Sequence, residues 1–374
     1  MNLPSYSSLR QPLQLASMAV LALACLTPSS LSREQGSGIA LFSRGEAGRA
    51  VRKTFTTDQK LQLTKLEARR GDQRIPSKVE MRLQTKRTLT VVDHVRAVRE
   101  NGQPANLRRT FEKVERAVDV LANGVRGTPT IQPCNITGTS VVFQWAPNRD
   151  EYGKHYDATE ASEGYLPGLQ EDLDLRALLP AGGAATVGEK WMVPADQLAG
   201  VFAPGGVLQM ESMVTMDPQT ERSLRAGIGG STFRVFQGCR ATGGMEVQLV
   251  GMEEGGELAR LDLRGDLRVL SDQTSYVVEN AEPVERDRLE HLGADLVFEF
   301  RGQGILLWNV SEGRAHSMEL AGTQMTSFDL HTRERTGNRE DGGQYLRMDG
   351  TFELRLAAEP TTAPAVPGPG DAKR

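Results

Sequence analysis

Aromatic residues make up only 5% of this 374-residue chain, cysteines number three, and past residue 26 no apolar run is long. A membrane-crossing helix needs about 20 apolar residues, so the mature chain holds no transmembrane helix by this measure. Aromatics are too thin in the basic part of the sequence for a stacking platform on nucleic acid. Catalytic motifs are missing as well. The five histidines (His94, His155, His291, His316, His331) show neither His-Glu-x-x-His nor close Cys/His spacing, the arrangements a zinc site needs. No Gly-x-Ser-x-Gly elbow is present to anchor a hydrolase nucleophile. The sequence therefore nominates no catalytic, metal or cofactor-binding residue.

What is there begins with a leader. Arg10 precedes an apolar run from Leu13 to Leu26, and Ala22-Leu23-Ala24 forms an A-x-A site before Cys25. A charged start, a short hydrophobic stretch and small residues at the cut are what signal peptidase reads. Residues 1–25 are thus expected to be a signal peptide, which places the mature chain in the periplasm or outside the cell. Cys25 has two readings. Cleavage by the general peptidase fits the residue order, because the lipoprotein signal has its Leu three residues before the Cys. Lipidation of Cys25, tethering the chain to a membrane, stays open because it accounts for the odd cysteine. The other two, Cys134 and Cys239, form a disulfide if an oxidising compartment pairs them, or stay apart as buried thiols. Closing that loop of about 100 residues would contribute ~4–5 kcal/mol in the chain-entropy model.

The net charge of −4 hides an asymmetry: residues 44–126 carry 20 Lys/Arg against 10 Asp/Glu, and residues 127–374 carry 22 against 37. A basic third either attaches to anionic lipid or polysaccharide, or is the solvated outer face of a sheet.

Strand patterning dominates between the ends. In residues 79–91 the odd positions, among them Val79, Met81, Leu83, Leu89 and Val91, are mainly apolar and the even ones polar, the period of a half-buried strand. Asn101-Gly102 is a favoured hairpin turn. Residues 107–121 are two-sided: Leu107, Phe111, Val114, Val118 and Leu121 have helical spacing, whereas the hairpin signal before them calls for a returning strand, which we favour. Leu169, Leu173 and Leu178, ahead of Pro180, predict a short helix over 169–179. Further strands are read at Val141–Trp145, Met245–Leu249, Leu261–Val269, Leu296–Phe300 (ending in a turn around Gly302 and Gly304), Ile305–Trp308, Met318–Leu320, Met325–Leu330 and Tyr345–Leu356.

Many short strands with frequent turns predict a mainly β fold, an antiparallel curved sheet, sandwich or barrel-like, with a few short helices. The expected organisation is a linker over 26–50, a basic β-rich region over 51–183, a second antiparallel region over 184–358 and a Pro-rich disordered tail over 359–374. One continuous sheet is the alternative to two units divided near Ala181-Gly182-Gly183.

Other candidate motifs fail on their chemistry. Asn148–Gly153 begins like a calcium loop, but its twelfth position is Thr159 instead of a bidentate Glu. Gly227-Ile-Gly229-Gly230 neither follows a strand nor opens a helix, as dinucleotide binding requires.

Val187-Gly188-Glu189-Lys190-Trp191, Gly304-Ile-Leu-Leu-Trp308 and the turn Glu312-Gly313-Arg314 resemble elements of uncharacterised exported bacterial β-sheet proteins of the envelope. That resemblance implies an envelope protein and carries over no catalytic residue. The expected function is non-catalytic binding or structure, with an apolar ligand or partner held on a curved sheet and the strands of Trp145 and Trp308 as candidate walls. Envelope lipid, polysaccharide or protein is the expected class of partner, with no cofactor and no nucleic acid. The alternatives are a secreted hydrolase with a scattered site, or attachment through the basic region.

Overall fold

Alternation of apolar and polar residues runs far longer along each strand than the turn signals imply. The computed structural model describes residues 38–70, 73–158, 163–208, 235–236, 238–279, 292–332 and 342–363. The strands are β1 (Ile39–Ala40), β2 (Ala50–Arg70), β3 (Gln73–Pro76), β4 (Met81–Val98), β5 (Pro104–Ala122), β6 (Val125–Arg126), β7 (Thr130–Pro133), β8 (Ser140–Ala146) and β9 (Glu151–Tyr156). They continue with β10 (Ala184–Ala185), β11 (Lys190–Pro194), β12 (Arg240–Glu253), β13 (Leu258–Asp272), β14 (Leu292–Asn309), β15 (Arg314–Thr332) and β16 (Gly342–Thr361). At 21 residues β2 is ~70 Å long at about 3.3 Å per residue.

Fourteen strands join one antiparallel curved sheet in the order β11-β12-β13-β14-β15-β16-β2-β4-β5-β8-β9, with β3 beside β2 and with β6 and β7 beside β5. β1 pairs separately with β10. The sheet is open: among the described residues no pairing joins β9 to β11. Long meandering hairpins explain the order, since neighbours in sequence are neighbours in space. β16 and β2, far apart in sequence, pair at the middle of the order, Thr361 with Ala50 and Gly342 with Arg70.

Every second residue points into the hollow of the sheet. In β13 Ala259, Leu261, Leu263, Leu267 and Val269 are buried, while Arg264, Asp266 and Arg268 between them are exposed. The outer face is a lattice of charges: Arg301 pairs with Asp266 at 2.9 Å and Arg268 with Glu299 at 3.5 Å. This polarity, apolar within and charged without, is the reverse of a lipid-embedded barrel. No helix among the described residues is long and apolar enough to cross a membrane.

Two expectations are corrected. Residues 169–179 are not a helix: 3-10 turns occupy Glu163–Gly168 and Arg176–Leu178, and Leu175 between them takes the left-handed φ of 57°. The leucines still bury, because an irregular chain lying in a hollow needs no period to point inward. Gly302 and Gly304 do not end a strand either. β14 runs through both, paired with β13 and β15 on either side. Residues 107–121 lie in β5, paired to β4, so the hairpin signal outweighs the helical spacing. Cys25 and Gly227-Ile-Gly229-Gly230 lie outside the described residues.

The glycines of β12 to β16 fall in a line across the sheet. Met245 faces Gly265, Gly265 faces Gly302 and Gly302 faces Gly322, with Gly244 one residue and Gly350 two residues off the line. A Cβ on Gly302 would lie 2.3 Å from the Ala321 carbonyl oxygen and 2.5 Å from the Phe300 ring; on Gly322, 2.3 Å from the Arg301 carbonyl oxygen. Backbones this close, with no side chains to separate them, let the sheet bend sharply along the line. Phe300 lies over the groove so formed.

Candidate functional site

The hollow is filled by the chain itself. Two stretches that belong to no large sheet, 163–179 and 195–208, bury Tyr165, Leu169, Leu173, Leu178, Leu198 and Val201 in the same core as the inward residues of β2, β4, β5 and β12 to β16. Phe202, at the end of a single helical turn (Ala199–Phe202), goes deepest. Its ring centroid stands 4.9 Å from Phe300, 5.3 Å from Phe298, 5.4 Å from Phe352 and 5.9 Å from Phe236. Edge-to-face rings at these distances contribute ~0.5–1.5 kcal/mol per pair beyond burial. Trp308, fully buried in β14, completes this apolar wall.

The wall formed by β2, β4 and β5 is charged. Lys53 Nζ lies 3.0 Å from Asp93 Oδ2 and 2.8 Å from Asp174 Oδ1. Arg109 donates from Nε and Nη2 to the two Asp93 oxygens, at 2.6 and 2.9 Å, and its guanidinium also reaches the carbonyls of Gln170 and Glu171. Asp172 accepts from the backbone of Asp174 and Arg176 and pairs with the Arg176 side chain at 2.9 Å. These contacts moor the stretch 163–179 to the sheet. Beside them a cavity of about 40 Å³ lies among Arg49, Lys53, Asp93, Asp174, Arg176 and Arg314, room for a few waters.

Burial alone would raise the Asp93 carboxyl, but the Arg109 and Lys53 cations hold it down at about 2. A folded-state value below the ordinary one near 3.9 means stability that is present above about pH 4 and is lost as pH falls toward 2. Urea midpoints measured between pH 5 and pH 2 should therefore decline, and Asp93→Asn should flatten the part of the decline that belongs to this site.

Arg87 is different. It projects from β4 into the hollow opposite Arg116 of β5 and donates from Nη2 to the Pro204 carbonyl at 3.0 Å. Its Nε is buried without an acceptor, and no carboxylate among the described residues pairs with it. Burial and Arg116 push its guanidinium down to about 10.

The Trp-bearing strands stand apart. Trp308 lies in the apolar wall. Trp145, half-buried on β8 near the sheet edge, packs against Tyr152 with ring centroids 5.2 Å apart and carries the Arg99 guanidinium 3.8 Å from its ring. Cys134, buried after β7, and Cys239, half-buried before β12, form no disulfide in the structure. Six strands separate β12 from β5 along the sheet. Among the described residues no group of acids, histidines or cysteines could hold a metal.

Lys53, Asp93, Arg87 and Arg109 were not singled out in the sequence. Their signal is a charge at a position whose parity is apolar: Lys53 between Val51 and Phe55, Arg87 between Thr85 and Leu89.

No family model matches the chain, and no curated protein matches it in sequence. Among solved structures, lipovitellin, from a study of its lipid–protein interactions, is similar at a TM-score of 0.29 and 8% identity over 86% of this chain, which spans only 26% of the lipovitellin chain. The secretin-domain β-barrel of InvG from the Salmonella injectisome matches at 0.16 and 8% identity, over 86% of this chain and 65% of its own. An outer-membrane channel from Pseudomonas putida F1 matches at 0.20 and 6% identity, over 84% of this chain and 97% of its own. Similarity this weak assigns this chain neither family nor activity.

Proposed function

We propose that this is an exported, non-catalytic binding protein of the bacterial envelope that holds an apolar ligand in the hollow of its open sheet. The observation that carries the reading is the occupant of the hollow. The deepest apolar position, between Phe298, Phe300 and Phe352, is taken by one ring, Phe202, on a single helical turn. That turn is not paired into the large sheet, so it leaves without breaking a strand ladder. An acyl chain is an apolar group that the same wall would bury, at about 25 cal/mol per Å². The open seam between β9 and β11 gives a ligand a lateral route in. The leader over residues 1–25 supports export.

The basic region serves this reading from within. Lys53, Arg87, Arg109 and Arg116 face the hollow, while outward cations such as Arg52 and Arg126 are paired with Glu112 and Asp119.

Trp308 provides the test. Monoolein brominated across its double bond is an uncharged acyl probe and quenches a nearby indole. Its titration should quench tryptophan fluorescence saturably; Trp308→Phe and Trp191→Phe, whose rings lie in or against the core, should together remove most of that quenching while Trp145→Phe keeps it. Absence of saturable quenching, or quenching that follows Trp145, would overturn the proposal.

A further inference from the structure

Most of the buried cations of the charged wall follow one rule, from which Arg87 departs. Lys53 has Asp93 and Asp174, Arg109 has Asp93, and Arg176 has Asp172. Arg314, at the mouth of the cavity, has Glu312. Each buried cation is matched by a carboxylate, as the cost of burying an unpaired charge demands. Arg87 has a backbone carbonyl, the Cys134 thiol nearby, a second guanidinium across the ladder, and an Nε with no acceptor, and no carboxylate among the described residues pairs with it.

We propose that Arg87, with Arg116 beside it, is the head-group site for an anionic acyl amphiphile whose chain takes the place of Phe202. The inference rests on the apolar-ligand reading above and adds the class of ligand. Three observations support it. The unmet donor on Arg87 is buried while the side chain as a whole is half-buried, so an anion can reach it. The carbonyl now bound to Arg87 belongs to Pro204, two residues past Phe202, just after the helical turn. The chain after that turn runs close to the site, since Gly205 has a φ of +86° and an added Cβ there would come within 2.8 Å of Leu89 and 3.7 Å of Arg87 Nη2. An oxyanion is a stronger acceptor for a guanidinium than a peptide carbonyl. A ligand's head would displace Pro204 from Arg87 and loosen the turn that seats Phe202, so that head recognition and withdrawal of the ring are one event. Gln132, which accepts from Arg116 Nε at 2.7 Å, fixes the second guanidinium in place.

The experiment compares three ligands with one acyl chain: oleate, oleoyl lysophosphatidic acid and monoolein. Each competes for the purified full-length protein against the uncharged probe N-phenylnaphthylamine. Either anion should bind about tenfold or more tightly than monoolein, the usual discrimination of a charge-assisted hydrogen bond. Whichever anion binds more tightly identifies the head as carboxylate or phosphate. Arg87→Met should abolish the preference for the anions over monoolein, and Arg87→Lys should restore part of it. Equal binding of all three ligands to the wild-type protein overturns the head-group site and leaves the apolar reading standing. Failure of all three to displace the probe overturns both. The wild-type comparison decides the matter even if Arg87→Met fails to fold.

Discussion

Asp93→Ala should lower the stability of this protein by about 3–5 kcal/mol, the range for removing one partner of a buried ion pair. The reason is what stays behind. Lys53 and Arg109, both nearly inaccessible, would keep their charges in the hollow with Asp174 as the remaining ion-pair partner of Lys53. Asp93 alone binds both cations, through three contacts of 3.0 Å or less. Asp93→Asn keeps an oxygen acceptor for Arg109 and should fall between alanine and wild type. The loss should also propagate. Arg109 holds the carbonyls of Gln170 and Glu171, and Lys53 holds Asp174, so the stretch 163–179 loses its mooring with the carboxylate. Urea unfolding measures the first effect and amide hydrogen exchange in 163–179 the second. A cost under about 1 kcal/mol would mean that the triad is not the joint between sheet and filling.

Gly302→Val should cost about 3 kcal/mol or more, at the upper end of overpacking penalties. The new Cβ would meet the Ala321 carbonyl oxygen, the Phe300 ring and the Gly322 Cα, all within 2.7 Å. Backbone on the facing strand cannot step aside as a flexible side chain does, so relief requires the sheet to flatten. Flattening displaces Phe300 and with it the seat of Phe202. Gly251→Ala on β12 is the control. Nothing lies within 4 Å of its Cβ position, and its stability should be unchanged or raised by up to about 1 kcal/mol through a less free unfolded chain. Equal losses in the two variants would remove the bend line as an explanation of the curvature.

The mainly β, antiparallel, curved fold was legible because the strands obey a period of two over long stretches, as β13 shows from Ala259 to Ser271. The length of the strands was not. Glycine is read as a turn because it permits left-handed backbone, and Gly302 and Gly304 instead serve through their missing side chains, a distinction that only the neighbouring strand reveals. The stretch 169–179 misled for a related reason: leucines at helical intervals fill a hollow equally well from an irregular chain. The charged wall was least legible of all. Lys53, Asp93 and Arg109 come from three strands, and the sheet's register alone makes Lys53 and Asp93, 40 residues apart, share a hydrogen bond. Phe202 left no signal, since a lone aromatic after Gly200-Val201 reads like any core residue.

A closed barrel has its girth set by strand number and shear. Among the described residues this sheet stops at β9 on one side and β11 on the other, and its edges carry Lys154, Lys190 and Pro194, residues that discourage pairing with another chain. Its radius is therefore a property of its stuffing: the fourteen strands wrap whatever lies inside them, as a hand closes on what it holds. Swapping one filling for a bulkier one widens the gap between the two lips instead of stretching a hoop of hydrogen bonds.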